Sequence, residues 1–461
     1  MTSKKAYSTL TRAAGVVVFK ILPLLLCTLA RAQNGSWSTQ APMPTARGGL
    51  AAAAVNTTVY ALGGIKPASI DTFYTTVEAY SPETDSWVTK GLLPGPCAYG
   101  GAGVINGVVY VVGCGSPTYA YDPSSSTWAS RADLPTPRSG AAVAVRDGIL
   151  YVIGGLKVGY FNTVYSSVEA YNPGANSWEA KAPIPTSRYY ACAGVIGGSI
   201  YVAGGARPVG PSVSESLATL EAYDPKTEMW TAKTPMPTAR RGAACAVVDG
   251  ELYVISGNLT DYADSVRNIV EVYNPQTNTW RTGAPIPTPR FSSGAVTVAD
   301  TLYVVGGLDA HDRTLAVNEA FSPFLAVGID IKPDDPDNTI NLKSRGTVPV
   351  AILGSATFDP TTVDPATVTL AGAPVATRPN GVPMTSITDV NADGYLDLLL
   401  HFRTQDLQLT RTSTEGVLYG GTFSGQRIRG ADAVRIVAWD RLLRSNPWTE
   451  GPNGRRHLPT D

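Results

Sequence analysis

Short apolar runs separated by turn residues predict β-strands along most of the chain. In one typical stretch, an apolar run over 139–145 is followed by Asp147-Gly148 and by the run Ile149–Ile153, a pattern that predicts a β-hairpin. Residues 167–171 and Ser177–Lys181 predict a third and a half-exposed fourth strand. No long stretch has the periodicity of an amphipathic helix, so the pattern favours an all-β protein.

This four-strand pattern recurs at fixed spacing. Tryptophans lie at 37, 87, 128, 178, 230 and 280, and a tyrosine stands seven residues before five of them. Ten residues after each tryptophan comes an arginine or, once, a cysteine, and thirteen residues further comes a tyrosine. Three constant offsets over six copies define a structural repeat, and four short antiparallel strands per copy predict the blade of a β-propeller.

The last copy is incomplete, which predicts how the ring closes. Seven residues beyond Phe321 the chain has Gly328 in place of a tryptophan, so the sixth copy lacks its fourth strand. The segment 36–39 at the other end carries Trp37 without a preceding strand. We therefore expect the N-terminal segment to complete the sixth blade, which removes the free edges of the first and last sheets.

The repeats resemble those of the kelch family. The resemblance rests on the Gly-Gly pair, the Val-Glu-Ala-Tyr-Asn-Pro run and the following Asn-x-Trp, and it covers residues 36–321. It implies a six-bladed kelch β-propeller over 33–324. The second copy departs from the pattern, with Cys97 in place of arginine, Gly113-Cys114 in place of Gly-Gly and Tyr119 in place of glutamate.

Five arginines recur at the start of the first strands, and they allow two interpretations. In kelch domains that bind acidic peptides, similarly placed arginines and aromatic loops contact the ligand, so the resemblance implies ligand contacts on the face where the variable loops emerge. The candidate residues are Arg47, Arg138, Arg188, Arg240 and Arg290, together with Tyr160, Tyr165 and Tyr262 on the loops. Alternatively, the recurring glutamates of the third strands form buried ion pairs with the arginines, a purely structural role.

Both interpretations leave function as a choice between two classes. A binding protein for a protein or glycan ligand, acidic if the arginines contact it, is our first expectation, because no converging catalytic groups are evident. The alternative is a sugar-acid-processing enzyme similar to the kelch-type sialic acid mutarotases, which would need arginine and glutamate side chains that face the channel and do not pair with each other.

A different pattern begins after the repeats. Strands are predicted near residues 327–333, 347–353, 367–370, 396–402 and 433–438, which favours a smaller β-sandwich-like domain over 325–440. It resembles β-rich modules appended to secreted bacterial proteins. Asp389, Asn391 and Asp393, with Tyr395 through its carbonyl group and Asp397, form a DxNxDGxxD loop that resembles calcium loops, because alternating oxygen ligands around a glycine bend suit this hard cation. Calcium is therefore the expected cofactor.

Four cysteines lie in the predicted propeller, and they differ in the bonds that we expect. Cys97 and Cys114 lie near opposite ends of one predicted hairpin, which predicts a disulfide between them. Cys192 and Cys245 lie in neighbouring blades, and we expect them to be buried free thiols.

The N-terminus predicts export. Basic residues precede an apolar run over 13–30 that ends at Ala30-Arg31-Ala32, the pattern of a signal peptide over 1–32, and Lys20 and Pro23 argue against a membrane-spanning anchor. We expect a secreted monomer, extracellular or periplasmic, with a disordered polar tail over 441–461. The chain has 36 basic and 37 acidic residues, for a formal charge of -1. This balance excludes the strong positive potential with which proteins attract nucleic acids.

Overall fold

The computed structural model describes residues 35–66, 69–157, 160–210, 213–437, 449–450 and 456–457. The predicted signal peptide lies outside the described residues. Within the described part of the chain, strands dominate, and the helices are three short 3-10 turns, Ala263–Ser265, Pro360–Thr362 and Thr404–Asp406. None of these helices has the length and apolarity needed to cross a membrane.

The repeats fold into four-stranded antiparallel sheets, six of them among the described residues, and in five of these the strands follow the order of the chain. We call these sheets blades 1 to 6. Their strands are Ala51–Val55, Thr58–Leu62, Thr76–Ser81 and Ser86–Leu92 in blade 1; Gly101–Ile105, Val108–Val112, Thr118–Asp122 and Thr127–Arg131 in blade 2; Ala142–Arg146, Ile149–Ile153, Val168–Asn172 and Ser177–Lys181 in blade 3; Cys192–Ile196, Ser199–Ala203, Leu220–Asp224 and Met229–Lys233 in blade 4; Ala244–Val248, Glu251–Ile255, Val270–Asn274 and Thr279–Thr282 in blade 5; and Gly294–Val298, Thr301–Val305, Asn318–Ser322 and Ser36–Gln40 in blade 6.

The fourth strand of blade 6 comes from the N-terminal end of the repeat region. Ser36 pairs with Ser322 and Gln40 with Asn318 in an antiparallel ladder. The ring of Trp37 packs on Phe321 with centroids 5.1 Å apart, and its indole N–H donates to the carbonyl of Ala284. This is the pairing that the incomplete last copy predicts.

A closed circle of backbone hydrogen bonds joins the blades at one end of the channel. The residue two positions after each repeat arginine, or after Cys97, donates its N–H to the carbonyl of the equivalent residue in the preceding blade at 2.7 to 2.9 Å. All six have a positive φ. We call this set the amide ring, and its members are Gly49, Tyr99, Gly140, Tyr190, Gly242 and Ser292. The bond from Gly49 to Ser292 closes the circle between blades 1 and 6.

The constant aromatic spacing reflects one repeated packing unit. In each blade the last aromatic residue of the third strand stacks on the tryptophan of the fourth strand, with centroids 4.9 to 5.2 Å apart. The tryptophan N–H also donates to a carbonyl at the end of the preceding blade, as Trp87 does to Ala41 and Trp178 to Ala132, both at 2.8 Å. Trp37, Trp87, Trp178, Trp230 and Trp280 thus fix both their own blade and the position of the preceding one.

The second β-rich region consists of two sheets around one core, a sandwich-like arrangement. A five-stranded sheet and a four-stranded sheet share buried residues that include Ile331, Val350, Leu400 and Leu418. The strands of the first sheet are Leu325–Ala326, Arg427–Ala433, Glu415–Thr422, Val363–Leu370 and Ala373–Pro374; those of the second are Ile329–Ile331, Thr347–Ile352, Asp397–Arg403 and Thr385–Thr388. A short parallel ladder joins Thr339–Asn341 to Arg435–Val437. We call this region the module.

Short ladders also occur outside the blades and the module. Ile65–Lys66 pairs with Ser69–Phe73, Leu156–Lys157 with Arg138–Ser139 and Tyr160–Val164, and Ala206–Gly210 with Val213–Ser216. In the tail, Thr449–Glu450 pairs with Arg456–His457, so this part of the tail has a ladder where the sequence predicts disorder.

Candidate functional site

The five repeat arginines lie inside their blades. Each guanidinium group is 0 to 1% exposed and contacts the glutamate of the third strand of the same blade. The distance between the closest nitrogen and oxygen is 2.6 Å for Arg47 and Glu78, and 2.8 Å for Arg240 and Glu271. The complete set of pairs is Arg47–Glu78, Arg138–Glu169, Arg188–Glu221, Arg240–Glu271 and Arg290–Glu319.

Further hydrogen bonds support both partners of each pair. Arg47 donates to the carbonyls of Gly63 and Thr76, while Thr45 donates to the second carboxylate oxygen of Glu78 at 2.7 Å. Burial lowers the pKa of Arg47, against the opposing effect of Glu78. Such groups, buried and paired, hold the ends of the second and third strands together.

The predicted role of these arginines as ligand contacts is therefore wrong. Arg47, Arg138, Arg188, Arg240 and Arg290 do not present nitrogen atoms to solvent at the channel mouth, because their glutamate partners draw them into the blades. Exposing one of them would separate a buried ion pair, which costs about 3–5 kcal/mol. The structure supports the alternative interpretation, in which the arginines form buried ion pairs with the glutamates of the third strands.

Blade 2 replaces this arrangement as a whole. Cys97 stands in the arginine position, Tyr119 in the glutamate position and Gly95 in the threonine position. A Cβ atom on Gly95 would lie 2.6 Å from the Tyr119 hydroxyl oxygen, so glycine makes room for the tyrosine. Cys97 and Cys114 form a disulfide with Cα atoms 4.9 Å apart, and it links the arginine position to the end of the second strand, whereas the ion pair elsewhere links that position to the third strand.

The expectation of free thiols at Cys192 and Cys245 is wrong. The structure joins them in a disulfide with Cα atoms 5.5 Å apart. Cys192 begins the first strand of blade 4 and Cys245 is the second residue of the first strand of blade 5. Neighbouring first strands run side by side around the channel, so this offset brings the two side chains together.

The channel that the first strands enclose is apolar. Its cavity of about 470 Å³ is lined by small residues such as Ala52, Val104, Gly194 and Ala246, and Thr297 is its one hydroxyl-bearing lining residue among the described residues. The mutarotase-like alternative requires arginine and glutamate side chains free of each other in this channel. In the described structure the recurring arginines and glutamates are instead paired inside the blades.

Two tyrosines cover the amide ring. The ring of Tyr99 lies against Gly49 and that of Tyr190 against Gly140, where an added Cβ would come within 2.9 and 2.7 Å of the aromatic carbons. The two rings pack together with centroids 5.3 Å apart. Burial raises the pKa of Tyr190, which keeps its hydroxyl group protonated. This end of the channel is therefore capped by aromatic side chains.

The loops between second and third strands emerge at this same end, and we call this side the loop face. Of the predicted contact residues, Tyr262 is 75% exposed. Tyr165 is half-buried and packs over Arg138, whose guanidinium carbon is 5.0 Å from the ring centroid. The side chain of Tyr160 lies outside the described residues. Sequence reasoning missed the apolar side chains of Val209 and Val213, which are 56% and 58% exposed.

A polar network connects the loops of blades 4 and 5. Arg241, 6% exposed, forms an ion pair with Asp261 at 2.5 Å. The other oxygen of Asp261 accepts the backbone N–H of Ser214 at 2.9 Å, and the hydroxyl of Tyr189 donates to the Ser214 side chain at 2.7 Å. The two loops that carry Val213 and Tyr262 are thereby held in one arrangement. Arg241 directly follows a repeat arginine, the only signal in the sequence that could have drawn attention to it.

In the module, the predicted calcium loop is curled around its own side chains. Asp389 accepts the N–H groups of Asp393 and Gly394 at 3.2 and 3.0 Å, and Asp393 accepts that of Tyr395 at 2.9 Å. Asn391 donates to Asp393 at 3.0 Å. The structure thus brings the three side chains of the predicted ligand set into one loop.

Asp397 has a different place. It is 0% exposed, and its two oxygens accept the N–H groups of Gly354 and Val390 at 2.7 and 2.8 Å. These bonds anchor the loop to the sheet through Asp397. Its role as a calcium ligand stays a prediction. No cluster of three or more His, Cys, Asp or Glu side chains with the arrangement of a metal site occurs among the described residues.

The fold and the repeated blade unit define the chain as a β-propeller protein with kelch repeats. A family model described as "KLHDC2/KLHL20/DRC7 Kelch-repeats domain" matches residues 116–307, and one described as "Kelch motif" matches residues 46–90. Among solved structures, one titled "Structure of YjhT" is similar with 15% sequence identity and a TM-score of 0.51, over 60% of this chain and 95% of that chain. At this identity the likeness concerns the fold alone. No curated protein matches the chain.

Proposed function

We propose that this protein is an exported monomeric binding protein that recognises a protein or glycan ligand on the loop face of its propeller. The observation that carries the proposal is the network through Arg241 and Asp261, which fixes two protruding loops relative to each other. Rigid presentation lowers the entropic cost of binding, because the loops need not become ordered when the ligand arrives. A loop face with fixed loops on a rigid scaffold is a common place for recognition.

The side chains offered on these loops suit a mixed apolar and polar contact. Tyr262, Val209 and Val213 are more than half exposed, and Arg207 and Glu215 form an exposed ion pair beside them. Tyrosine supplies a large contact area with few rotatable bonds. The argument for an acidic ligand rested on the five repeat arginines and loses its support with their burial, so protein and glycan remain as ligand classes without a preferred charge.

Export is part of the same proposal. Its support is the N-terminal pattern over 1–32 together with two disulfides, Cys97–Cys114 and Cys192–Cys245. Disulfides persist in oxidising compartments and are rare in the cytosol. The protein would therefore act in an extracellular or periplasmic setting.

The module would add a structural calcium ion to this binding protein. Asp389, Asn391 and Asp393 would hold it through side-chain oxygens and Tyr395 through its carbonyl, a donor set of hard oxygens that suits calcium. Asp397 would hold the loop in place through its two backbone hydrogen bonds. A bound calcium ion supplies positive charge that offsets the repulsion between Asp389 and Asp393, and so stabilises the loop.

A glycan and peptide array with the purified full chain tests the binding proposal. A double variant, Tyr262→Ala with Val213→Ser, should lose at least about tenfold in affinity for any ligand that the unmodified protein binds, since one contact of this size is worth about 1–2 kcal/mol. Met229→Ser is the matched control, because Met229 is 65% exposed on the outer strand of blade 4. Equal binding by the double variant and the control would contradict a loop-face site.

A further inference from the structure

The propeller and the module meet at a polar junction opposite the loop face. Asp249 and Asp300 lie in the turns between first and second strands of blades 5 and 6. Arg427 of the module lies 2.7 Å from a carboxylate oxygen of Asp249, and the hydroxyl of Tyr419 donates to Asp300. The rings of Phe324 and Tyr419 pack with centroids 5.3 Å apart. These contacts fix the module against two blades.

A cavity of about 400 Å³ remains at this junction. This volume falls in the range of small-molecule sites, which occur preferentially at domain interfaces. Two carboxylates, a guanidinium group, an aromatic hydroxyl and glycine backbone line it; the lining residues are Asp249, Asp300, Phe324, Thr367, Tyr419, Gly420, Gly421 and Arg427. Asp249 and Thr367 are exposed, so the cavity can be reached from solvent.

The charges around this cavity balance. Arg281 donates to Glu251 at 2.6 Å, Arg427 lies beside Asp249, and Arg429 lies 3.4 Å from Asp300. Each acidic group therefore has a basic neighbour. An ionic ligand would leave one of these groups without its counter-charge, whereas a neutral ligand would not.

The lining combines groups that recognise hydroxyl-rich molecules. Carboxylates accept hydrogen bonds from hydroxyl hydrogens, a guanidinium group donates to hydroxyl oxygens, and both present two parallel positions to neighbouring hydroxyl groups. Phe324 and Arg429 both contact the half-buried ring of Tyr419. The parts of the Phe324 and Tyr419 rings that line the cavity can contact the C–H groups of a sugar. A neutral carbohydrate carries both features on one ring.

We propose that the junction between the propeller and the module is a second binding site, separate from the loop face, for a neutral carbohydrate of one or two sugar units or the end of a longer glycan. Asp249, Asp300 and Arg427 would bind its hydroxyl groups, and Tyr419 would pack against its ring.

Calorimetric titration of the full chain tests this site. The probes are neutral tetrasaccharides, namely cellotetraose, maltotetraose, chitotetraose and mannotetraose, with tetragalacturonate as the anionic counterpart. Thr367→Trp fills the cavity from its exposed side and should weaken binding of the preferred neutral probe at least tenfold. Asp249→Asn removes one acceptor charge and should weaken it as well; asparagine tolerates the φ of 50° at this position.

Two controls separate the outcomes. Tyr262→Ala alters only the loop face and should leave this binding unchanged, and thermal melting of each variant shows whether it is folded. If Thr367→Trp does not fold, Asp249→Asn decides. The proposal is overturned if no neutral probe binds with a Kd of 1 mM or better, if tetragalacturonate binds more tightly than every neutral probe, or if both junction variants bind as the unmodified protein does.

Discussion

The guanidinium group of Arg47 donates to the carboxylate of Glu78 at 2.6 Å, and the two side chains are 0% and 1% exposed. The same contact recurs in four other blades, whereas in blade 2 a disulfide joins the corresponding first position to the end of the second strand. The recurring arginines therefore have a structural role inside the five blades that carry them, and their guanidinium groups are not available to a ligand.

Removing one arginine should cost stability. Arg240→Met leaves Glu271 buried without its partner, and we expect a loss of about 3–5 kcal/mol in the free energy of unfolding. Urea denaturation measures it. Arg240→Met combined with Glu271→Leu is the control, and it should recover a large part of the loss, because no uncompensated charge remains. A single variant as stable as the unmodified protein would contradict the buried pair.

The N-terminal strand should be essential for the closed propeller. Deleting residues 36–40 exposes the edge of Asn318–Ser322 and removes the packing of Trp37 on Phe321. We expect a strong drop in Tm and increased aggregation, since the unpaired edge strand can pair with other chains. Differential scanning calorimetry with Trp37→Phe, which keeps the strand, provides the comparison. An unchanged melting curve after the deletion would show that the strand does not close the ring.

The disulfide between blades 4 and 5 should stabilise the propeller. Replacing Cys192 and Cys245 by alanine reopens a loop of 53 residues, which corresponds to a loss of at most about 4 kcal/mol by the chain-entropy estimate. Denaturant midpoints measure the loss, and peptide mapping without reductant identifies the bond. Two alkylated cysteines at 192 and 245 in the mapped, unreduced protein would refute it.

Stability should fall in alkaline solution. Burial raises the pKa of Tyr223 and of Tyr273 to about 12, above the value of about 10 in an unfolded chain. Between these values the unfolded chain loses protons that the folded chain keeps, so this stabilising contribution is complete below pH about 10 and disappears as the pH rises through 12. Tyrosinate absorbance recorded alongside unfolding measures the effect.

Tyr223→Phe separates the hydroxyl group from the ring. The Tyr223 hydroxyl has no hydrogen-bond partner among the described residues, while the ring packs on Trp230 with centroids 5.0 Å apart. The variant should therefore be about as stable as the unmodified protein at pH 7 and more stable at pH 11. Equal stability of the two proteins at pH 11 would contradict the raised pKa.

Calcium should raise the Tm of the protein, and removing the side-chain ligands should abolish that rise. In Asp389→Ala with Asp393→Ala we expect no calcium-dependent shift and no heat of binding in calorimetry. Asp397→Ala should lower the Tm with or without calcium, because it leaves the N–H groups of Gly354 and Val390 without their acceptor. A calcium response that survives the double substitution would contradict the proposed ligands.

Spacing along the chain was sufficient for the blades and for their closure. The offsets between Trp128, Arg138 and Tyr151 and their counterparts reflect contacts that recur from blade to blade, so they appear as a period in the sequence. The direction in which a side chain points does not appear in the spacing of the sequence. Arg47 and Glu78 recur together whether they contact each other or a ligand, and only their burial distinguishes the two.

Other features depend on contacts that one repeat cannot reveal. The bond between Cys192 and Cys245 needs the offset between neighbouring first strands, and the network of Arg241 joins loops of two blades. In the module, the hairpin Glu415–Thr422 with Arg427–Ala433 went unpredicted, because glycines and arginines interrupt its apolar alternation. The motif also does not reveal that Asp397 accepts two backbone N–H groups, since these come from Gly354 and Val390.

The hydrogen bonds of the amide ring form a closed circle in which no blade is first or last. Since Gly49 bonds to Ser292 as every other member of the amide ring bonds to its predecessor, the architecture does not depend on where the polypeptide is cut. A circularly permuted gene that opens the chain between blades 3 and 4, and splices residue 323 to residue 36 through a short linker, should still yield a propeller. Because this splice omits the module, both new termini would lie on the propeller between blades 3 and 4, where a second protein could be fused.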